Sequence, residues 1–302
     1  MISLSICIPI FRSDVRKLVL NLRDQMKRID TAQIDIVLID DSSGEPYPKL
    51  NSFADTLVKT INLEQNIGRA KIRNLFLQHS TSRYLLFLDG DSTVLNEKFL
   101  FNYIQALEQQ DALVLVGASC YQLVKPDAKY LLRWRYSTQR ESLNYEQRLL
   151  KKNAGFKTNN FIIDRSILEA YPFEEGLSGY GHEDTLFGVV LCRANIEIVH
   201  LDNPVWNLNL DDNTTFLSKT EQALQNLLWI NAHRFSKELL EHNLLLATFL
   251  RLKNSFWGRL LLQGIEMINP FLKRILQTGK APMCLFDIFR LGRLSALHKQ
   301  HQ

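Results

Sequence analysis

Asp89-Gly90-Asp91 stands at the exit of the apolar run Tyr84-Leu85-Leu86-Phe87-Leu88, so two carboxylates occur where a buried strand ends. Side chains alternate faces along an extended chain, so residues two apart point the same way and can share one hard cation or its water shell. Held there, a cation would neutralise a substrate diphosphate.

Two other identities compete for these residues. Asp-Gly-Asp is a good turn. Asp89-x-Asp91-x-Thr93 also resembles the nucleophile motif of haloacid dehalogenase-type phosphatases, in which the first Asp attacks phosphorus. Such a phosphatase needs its serine/threonine, lysine and acidic motifs downstream. Here an acidic pair, Asp40-Asp41, lies upstream instead.

The carboxylates need a scaffold, and the hydrophobic pattern supplies one. Residues 2–8 read as a strand and 9–13 as a loop, and Val15, Leu18, Val19, Leu22, Met26 and Ile29 recur at helical spacing. A short strand over 35–39 ends in Asp40-Asp41-Ser42. A third strand near 57–62 leads through Asn66 and Gly68 into a helix over 69–78, and the strand bearing the aspartates follows. Helices over 100–107 and 165–170 and strands over 112–118, 161–163 and 196–200 continue the alternation. Gly179-Tyr180-Gly181-His182-Glu183-Asp184 opens another helix.

Alternation of this kind means a largely parallel α/β sheet, whose ligands bind at the carboxyl ends of its strands. Residues 121–153, around Arg133-Trp134-Arg135-Tyr136, interrupt it as an insertion or flap, or as an amphipathic helix packed on the sheet. Beyond Phe216 the pattern is helical, with breaks near Asn269-Pro270 and 279–282. The expected domains are a catalytic domain over 1–215 and a packed helical extension over 216–302.

At 302 residues, 46% hydrophobic and 23% charged, the chain can bury one large core or two smaller ones. Cys7, Cys120, Cys192 and Cys284 are scattered, which suits reduced thiols rather than a disulfide frame or zinc site. The opening residues lack a basic leader, and no apolar run approaches the ~20 residues that span a bilayer. The expected location is therefore cytoplasmic.

In chain order the sequence presents Pro9 after the first strand, Asp40-Asp41-Ser42, Asn66-Ile67-Gly68-Arg69 with Arg73-Asn74, and Asp89-x-Asp91. There follow Asn159-Asn160-Phe161, Pro172-Phe173-Glu174-Glu175, Gly181-His182-Glu183-Asp184 and Asn203-Pro204-Val205. This ordered set resembles the inverting glycosyltransferases of family 2, bacterial-type enzymes with the GT-A fold, over roughly residues 3–220. The resemblance implies a Rossmann-like mixed, mainly parallel sheet flanked by helices. It also implies hexosyltransferase-type transfer from a nucleotide-sugar donor, UDP-linked, to a saccharide or lipid-linked saccharide, as in polysaccharide biosynthesis. A non-catalytic sugar-nucleotide-binding or assembly protein that kept the fold is the alternative.

Transfer from a nucleotide sugar expels a nucleoside diphosphate. The site needs a cation for the developing charge, a base for the acceptor hydroxyl and a pocket for the nucleotide. By resemblance, Asp91 is the direct ligand of Mg²⁺ or Mn²⁺, with Asp89 on the ribose or coordinating less directly. Asp41 matches the aspartate that hydrogen-bonds the base, with Asp40 the lesser candidate, and Pro9 to Phe11 line the same pocket. Asn66, Gly90, Asn160, Gly181 and His182 fall in the donor-binding motifs. Arg69 and Arg73, four apart, face the diphosphate or are solvated helix charges. Asp184 is the expected general base, with Glu183 binding the acceptor or orienting the loop.

One position departs from the family. Relatives place a metal-binding histidine three residues after the proline of Asn-Pro-Val, where this chain has Asn207. An amide oxygen can take its place, or His200 can substitute.

Charge is unevenly distributed. Residues 251–302 carry nine Lys/Arg against Glu266 and Asp287, a net of +7, which leaves the other 250 residues with 27 basic and 30 acidic groups. Phe256, Trp257, Leu260, Leu261 and Phe271 interleave with these cations. The pattern suits peripheral attachment to the anionic inner face of the cytoplasmic membrane, or helices packed on the catalytic domain with a solvated basic face. No nucleic-acid module is present, and the catalytic region is net acidic, so nucleic acid is not an expected partner.

Overall fold

The computed structural model describes residues 1–109, 112–233 and 243–300. Residues 234–242 and 301–302 of the expected helical extension lie outside the described residues. The strands are β1 (Ile2–Ile10), β2 (Ala32–Asp40), β3 (Val58–Asn62), β4 (Tyr84–Leu88), β5 (Ser92–Thr93), β6 (Val114–Val116), β7 (Ser119–Tyr121), β8 (Asn160–Asp164), β9 (Val199–His200) and β10 (Val205–Asn207). Seven form one sheet in the order β3-β2-β1-β4-β8-β6-β9. β1 pairs in parallel with β2 and β4, β2 with β3 and β6 with β9, while β8 runs antiparallel between β4 and β6. β4 and β8 are buried along their whole length, and β1 is buried from Leu4 to Ile8. Continuous burial is the mark of strands covered on both faces, and it explains why they read as apolar runs.

The expected mixed, mainly parallel sheet is therefore present, with strand ends displaced by a few residues at most places. A second sheet, β5-β10-β7, has strands of two and three residues. Segments that short have no measurable period, so the sequence gives no sign of them.

The helices are α1 (Arg16–Met26), the single turn α2 (Tyr47–Leu50), α3 (Arg69–His79), α4 (Phe99–Gln109), α5 (Leu131–Tyr136), α6 (Tyr145–Lys151), α7 (Arg165–Ala170), α8 (Glu183–Arg193), α9 (Asn213–Ala232), α10 (Leu244–Lys253), α11 (Phe256–Gln277) and α12 (Met283–Gln300). Leu18, Val19, Leu22 and Met26 of α1 share one core with Phe99, Leu100, Tyr103 and Ile104 of α4 and with Ile6, Ile8, Leu86 and Leu88 of the sheet. Phe87 and Phe161 stack at 4.9 Å, with Phe76 edge-on to Phe87 at 5.6 Å. Each such side chain contributes ~1.5–3 kcal/mol by leaving water.

Packing divides the chain into two compact units. One comprises residues 1–122, 142–175 and 190–209 and contains both sheets. The other comprises 123–141, 176–189 and 210–302 and is helical. In the helical unit, Leu132, Phe216, Leu217, Leu272, Leu276, Phe286 and Phe289 form a core. Arg133-Trp134-Arg135-Tyr136 lies in α5 of this unit: Tyr136 contacts the Phe216 and Phe286 rings, and the Leu132 N–H donates to Asn213 Oδ1 at 3.0 Å.

The break expected at Asn269-Pro270 does not occur, and α11 runs through both residues. A helical proline costs ~3 kcal/mol. Burial of Leu262, Ile265, Leu272 and Leu276 on either side outweighs it.

Candidate active site

The carboxyl ends of β1, β2 and β4 lie side by side. Strand register sets Ile10 against Asp40 and Pro9 against Ile39, with β4 on the other flank of β1. Half-buried Pro9 and exposed Phe11 lie at this end, where Ser43 Oγ accepts the Arg12 N–H at 2.7 Å. Asp41 Oδ1 accepts the Ile67 N–H at 2.7 Å and Oδ2 accepts that of Gly68 at 3.1 Å, while Asn66 Nδ2 donates to the Asp41 carbonyl at 3.1 Å. Asp41 and Asn66 thus fasten the loop that starts α3. Asp41, expected to contact the base, has a backbone N–H on each carboxylate oxygen. Asp40 is also buried, and its Oδ1 takes the Ser43 N–H at 2.7 Å. Its Oδ2 has no hydrogen-bond partner within the protein.

Spacing of four does put Arg69 and Arg73 on one face, but both point at Asp89. Arg73 reaches Oδ1 at 2.7 Å and Arg69 reaches Oδ2 at 3.3 Å. Their environments differ, with side-chain exposures of 2% for Arg73 and 37% for Arg69. Arg73 also donates to the Arg69 carbonyl and lies 5.9 Å over the Phe173 ring, so it is built in as a support for Asp89. Asn74 completes the brace. It donates to the Phe173 carbonyl and to Glu175 Oε1 and accepts the Phe173 N–H, each at 2.9 Å. Ser13 Oγ donates to the Gly90 carbonyl at 2.9 Å, and Asp91 is exposed at the turn into β5.

Asn207 sits in β10 directly opposite Ser92 of β5, the residue after Asp91. Its Nδ2 donates to Tyr121 Oη at 3.2 Å, and its Oδ1 is buried without a partner, as is Ser92 Oγ. Asn159, whose carbonyl accepts the Asp89 N–H at 3.3 Å, also has an unpartnered Oδ1. Among the described residues of the sheet unit, every buried side-chain oxygen without a partner belongs to Asp40, Ser92, Asn159 or Asn207. All four lie at this one edge. Each unpartnered group costs ~1–3 kcal/mol, a cost that a bound donor or cation would relieve.

A carboxylate, an amide oxygen and a hydroxyl are ligand types that suit a hard cation, so by chemical type Asp91, Asn207 and Ser92 are the candidates to hold Mg²⁺ or Mn²⁺. No cluster of three or more His, Cys, Asp or Glu suited to a metal occurs among the described residues. The fit therefore rests on amide and hydroxyl oxygens.

His200 does not join this set. Its Nε2 meets the Lys152 carbonyl at 3.0 Å, so Nε2 carries the proton, and its Nδ1 faces an N–H of buried Arg148 at 3.3 Å. Both ring nitrogens are engaged in the scaffold, and burial lowers its pKa below the usual histidine range. Asn160 is also scaffold. It is fully buried, accepts from Tyr103 Oη at 2.7 Å and donates to the Ala118 and Asn203 carbonyls at 2.8 and 2.9 Å. Gly117 borders this knot, where a Cβ would come within 2.3 Å of Tyr103 Oη. Asn160, expected among the donor-binding residues, makes all of these bonds inside the core, while Asn159 Oδ1 makes none.

In the helical unit, the segment before α8 holds three left-handed residues: Gly179 (φ 68°), Gly181 (φ 100°) and His182 (φ 68°). Gln222 Oε1 accepts the Tyr180 N–H at 3.1 Å, and Asn226 Nδ2 donates to the Gly181 carbonyl at 2.9 Å. A Cβ on Gly181 would lie 2.6 Å from that of Ala223. Glu183 is buried and Asp184 half-buried in the first turn of α8, where Asp184 Oδ1 accepts the Thr185 N–H at 2.7 Å. His182 Nδ1 lies 3.2 Å from Thr185 Oγ1. A non-glycine residue in the left-handed region stores strain of order 1–3 kcal/mol, and such strain collects at functional segments. The bracing by Gln222 and Asn226, some forty residues on, has no local sequence signal.

Residues 5–172 match the model of glycosyl transferase family 2. A 165-residue stretch is 26% identical to the teichoic acid poly(glycerol phosphate) polymerase of Staphylococcus epidermidis. It covers 52% of this chain and 22% of that protein, so the chain spans about a fifth of the length of this curated relative. Among solved structures, TarS 1–349 of S. aureus in complex with UDP superposes with a TM-score of 0.51 at 16% identity, covering 100% of this chain and 92% of that one. The mannosyltransferase PcManGT of Pyrobaculum calidifontis, in complex with GDP-Man and Mn²⁺, gives 0.56 at 14% identity, covering 95% and 85%. Glucosyl-3-phosphoglycerate synthase of Mycobacterium tuberculosis, with Mn²⁺, UDP and glucosyl-3-phosphoglycerate, gives 0.51 at 14%, covering 75% and 78%. The fold is that of the GT-A glycosyltransferases. With more than half of its length matched by the family model, the chain belongs to glycosyl transferase family 2 and is a glycosyltransferase.

Proposed function

We propose that this glycosyltransferase takes its sugar from a UDP-linked donor at the carboxyl edge of its seven-stranded sheet and passes it, with inversion, to a hydroxyl of a saccharide or lipid-linked saccharide. The observation that carries this reading is the set of four unpartnered oxygens on Asp40, Ser92, Asn159 and Asn207. Asp40 Oδ2 suits the imide N–H of uracil, in place of the engaged Asp41. Asp89, fixed between Arg69 and Arg73, presents its carboxylate to the ribose, and the more exposed Arg69 contacts the diphosphate. Asp91, Asn207 and Ser92 would hold Mg²⁺ or Mn²⁺, which when bound neutralises charge on the leaving diphosphate. Asp184 takes the proton of the acceptor hydroxyl, a role that suits a carboxylate at a helix start, and Glu183 and the strained Gly181-His182 backbone fix its loop. The UDP bound by TarS and by the synthase supports the base assignment, and the Mn²⁺ bound by the synthase and PcManGT supports the cation.

A panel of UDP- and GDP-sugars with Mn²⁺, followed by release of the nucleoside diphosphate, tests the reading. UDP-sugars are expected to turn over, and Asp184→Asn to lower kcat by about 10²–10⁴ with UDP affinity unchanged. Turnover of GDP-sugars alone would remove the uracil assignment. Full activity in Asp184→Asn would remove the base assignment.

A further inference from the structure

Helix α11 has three faces where a surface helix needs two. Leu262, Ile265, Leu272 and Leu276 point inward. The inner face meets α12 closely, since a Cβ on Gly292 would lie 2.7 Å from Ile265 Cγ2. Arg259, Gln263, Lys273 and Arg274 make a polar face. The third face carries Phe256, Trp257, Leu261, Met267, Ile268 and Phe271, all exposed, with Trp257 at 78% and Met267 at 83%. At 100° and 1.5 Å per residue, this apolar strip spans about 140° of the helix and about 22 Å of its length. Arg259 and Arg274 border it. A strip this continuous marks an interaction surface.

Charge decides what covers it. Arg251, Arg259, Arg274 and Lys280 are exposed, and no ion pair links any of them to an acid among the described residues. The +7 of residues 251–302 would oppose a second copy brought face to face and would complement an anionic surface. No helix among the described residues is long and apolar enough to cross a membrane. An apolar strip with aromatic residues at both ends and arginines along its border suits a helix lying in the lipid headgroup plane. We propose that the exposed face of α11 docks on an anionic lipid bilayer, with Trp257 and Phe271 inserted and Arg259 and Arg274 among the phosphates.

The test uses the full chain with phosphatidylcholine vesicles and with mixed phosphatidylcholine–phosphatidylglycerol vesicles, and needs neither donor nor acceptor. The chain is expected to co-sediment with the anionic vesicles, with a blue shift in tryptophan emission that Trp257→Phe removes. Trp257→Gln/Met267→Gln/Phe271→Gln is expected to lose at least tenfold in partition with its circular dichroism unchanged, since these side chains are exposed. Arg259→Gln/Arg274→Gln is expected to lose about fivefold per cation, or ~1 kcal/mol each, on anionic vesicles only. Failure of the full chain to bind anionic vesicles would overturn the proposal, as would a blue shift that persists in Trp257→Phe. Sedimentation equilibrium showing a dimer that the triple apolar variant dissociates, with vesicle binding unaltered, would assign the face to a second copy instead.

Discussion

Asp40 and Asp41 are the same residue type, adjacent at the end of one strand, and both are buried, yet Asp41 has both carboxylate oxygens bonded to backbone and Asp40 has one with no partner. Asn159 and Asn160 repeat the contrast at the start of β8. Asn160 makes three hydrogen bonds inside the core, and Asn159 keeps a bare amide oxygen. In each pair one member builds the scaffold, and the other is the one to which the proposed function gives the donor. Satisfaction of hydrogen bonds, rather than residue type, is what distinguishes the two members of each pair.

The sharpest way to break this distinction is at Asp89. Arg73 is scaffold and Arg69 is half-open, so Arg73→Ala should destabilise the fold by about 3–5 kcal/mol by leaving a carboxylate without its buried partner. Arg69→Ala should cost under ~1 kcal/mol, as exposed pairs do, and weaken UDP binding instead. Thermal or denaturant unfolding of the two variants gives the comparison directly. Equal losses would mean that both arginines are structural.

Asn160→Ala should cost about 3 kcal/mol, since it leaves the Tyr103 hydroxyl and two carbonyls unpaired; burial already raises the Tyr103 pKa and keeps that hydroxyl a donor. Asn159→Ala should fall within ~0.5 kcal/mol of the parent, because it removes a group already unpaired, while lowering donor affinity. Denaturant midpoints and UDP titration measure the two halves.

The smallest effect concerns His200, a satisfied group whose folded pKa lies below its ordinary value of 6.5 through burial. The unfolded chain then binds the proton more readily, so this contribution is fully present above pH ~6.5 and is lost as pH falls below that value through the lower folded pKa. His200→Gln should flatten the fall in melting temperature on the acid side. An unchanged pH profile would mean that the ring is not held neutral.

Much of this was legible in the chain. The buried runs of β1 and β4, the helical spacing of α1 and α4, and the clustering of polar residues after successive strands carry the sheet and its functional edge. Asp89 and Asp91 were found because a carboxylate pair after an apolar strand is a local signal. The roles within adjacent pairs were not legible. Which of Asp40 and Asp41 turns to backbone depends on where the 66–68 loop returns, and which of Asn159 and Asn160 enters the core depends on the register of β8 against β4. The setting of Asn207 depends on β5 and β10, too short to show a period. The helix over 256–277 hid behind Pro270, because the packing that overrides the proline comes from distant segments.

The central claim is that the unpartnered oxygens at the carboxyl edge receive the donor nucleotide. Calorimetric titration of UDP with Mn²⁺ into the parent chain and Asp40→Ala tests it most directly, with melting temperatures recorded alongside. UDP affinity is expected to be at least about tenfold weaker in Asp40→Ala, the ~1.4 kcal/mol of one lost charge-assisted hydrogen bond, with melting lowered by no more than the ~1–3 kcal/mol of the Ser43 N–H that loses its Oδ1 acceptor. Undiminished UDP affinity in Asp40→Ala would contradict it.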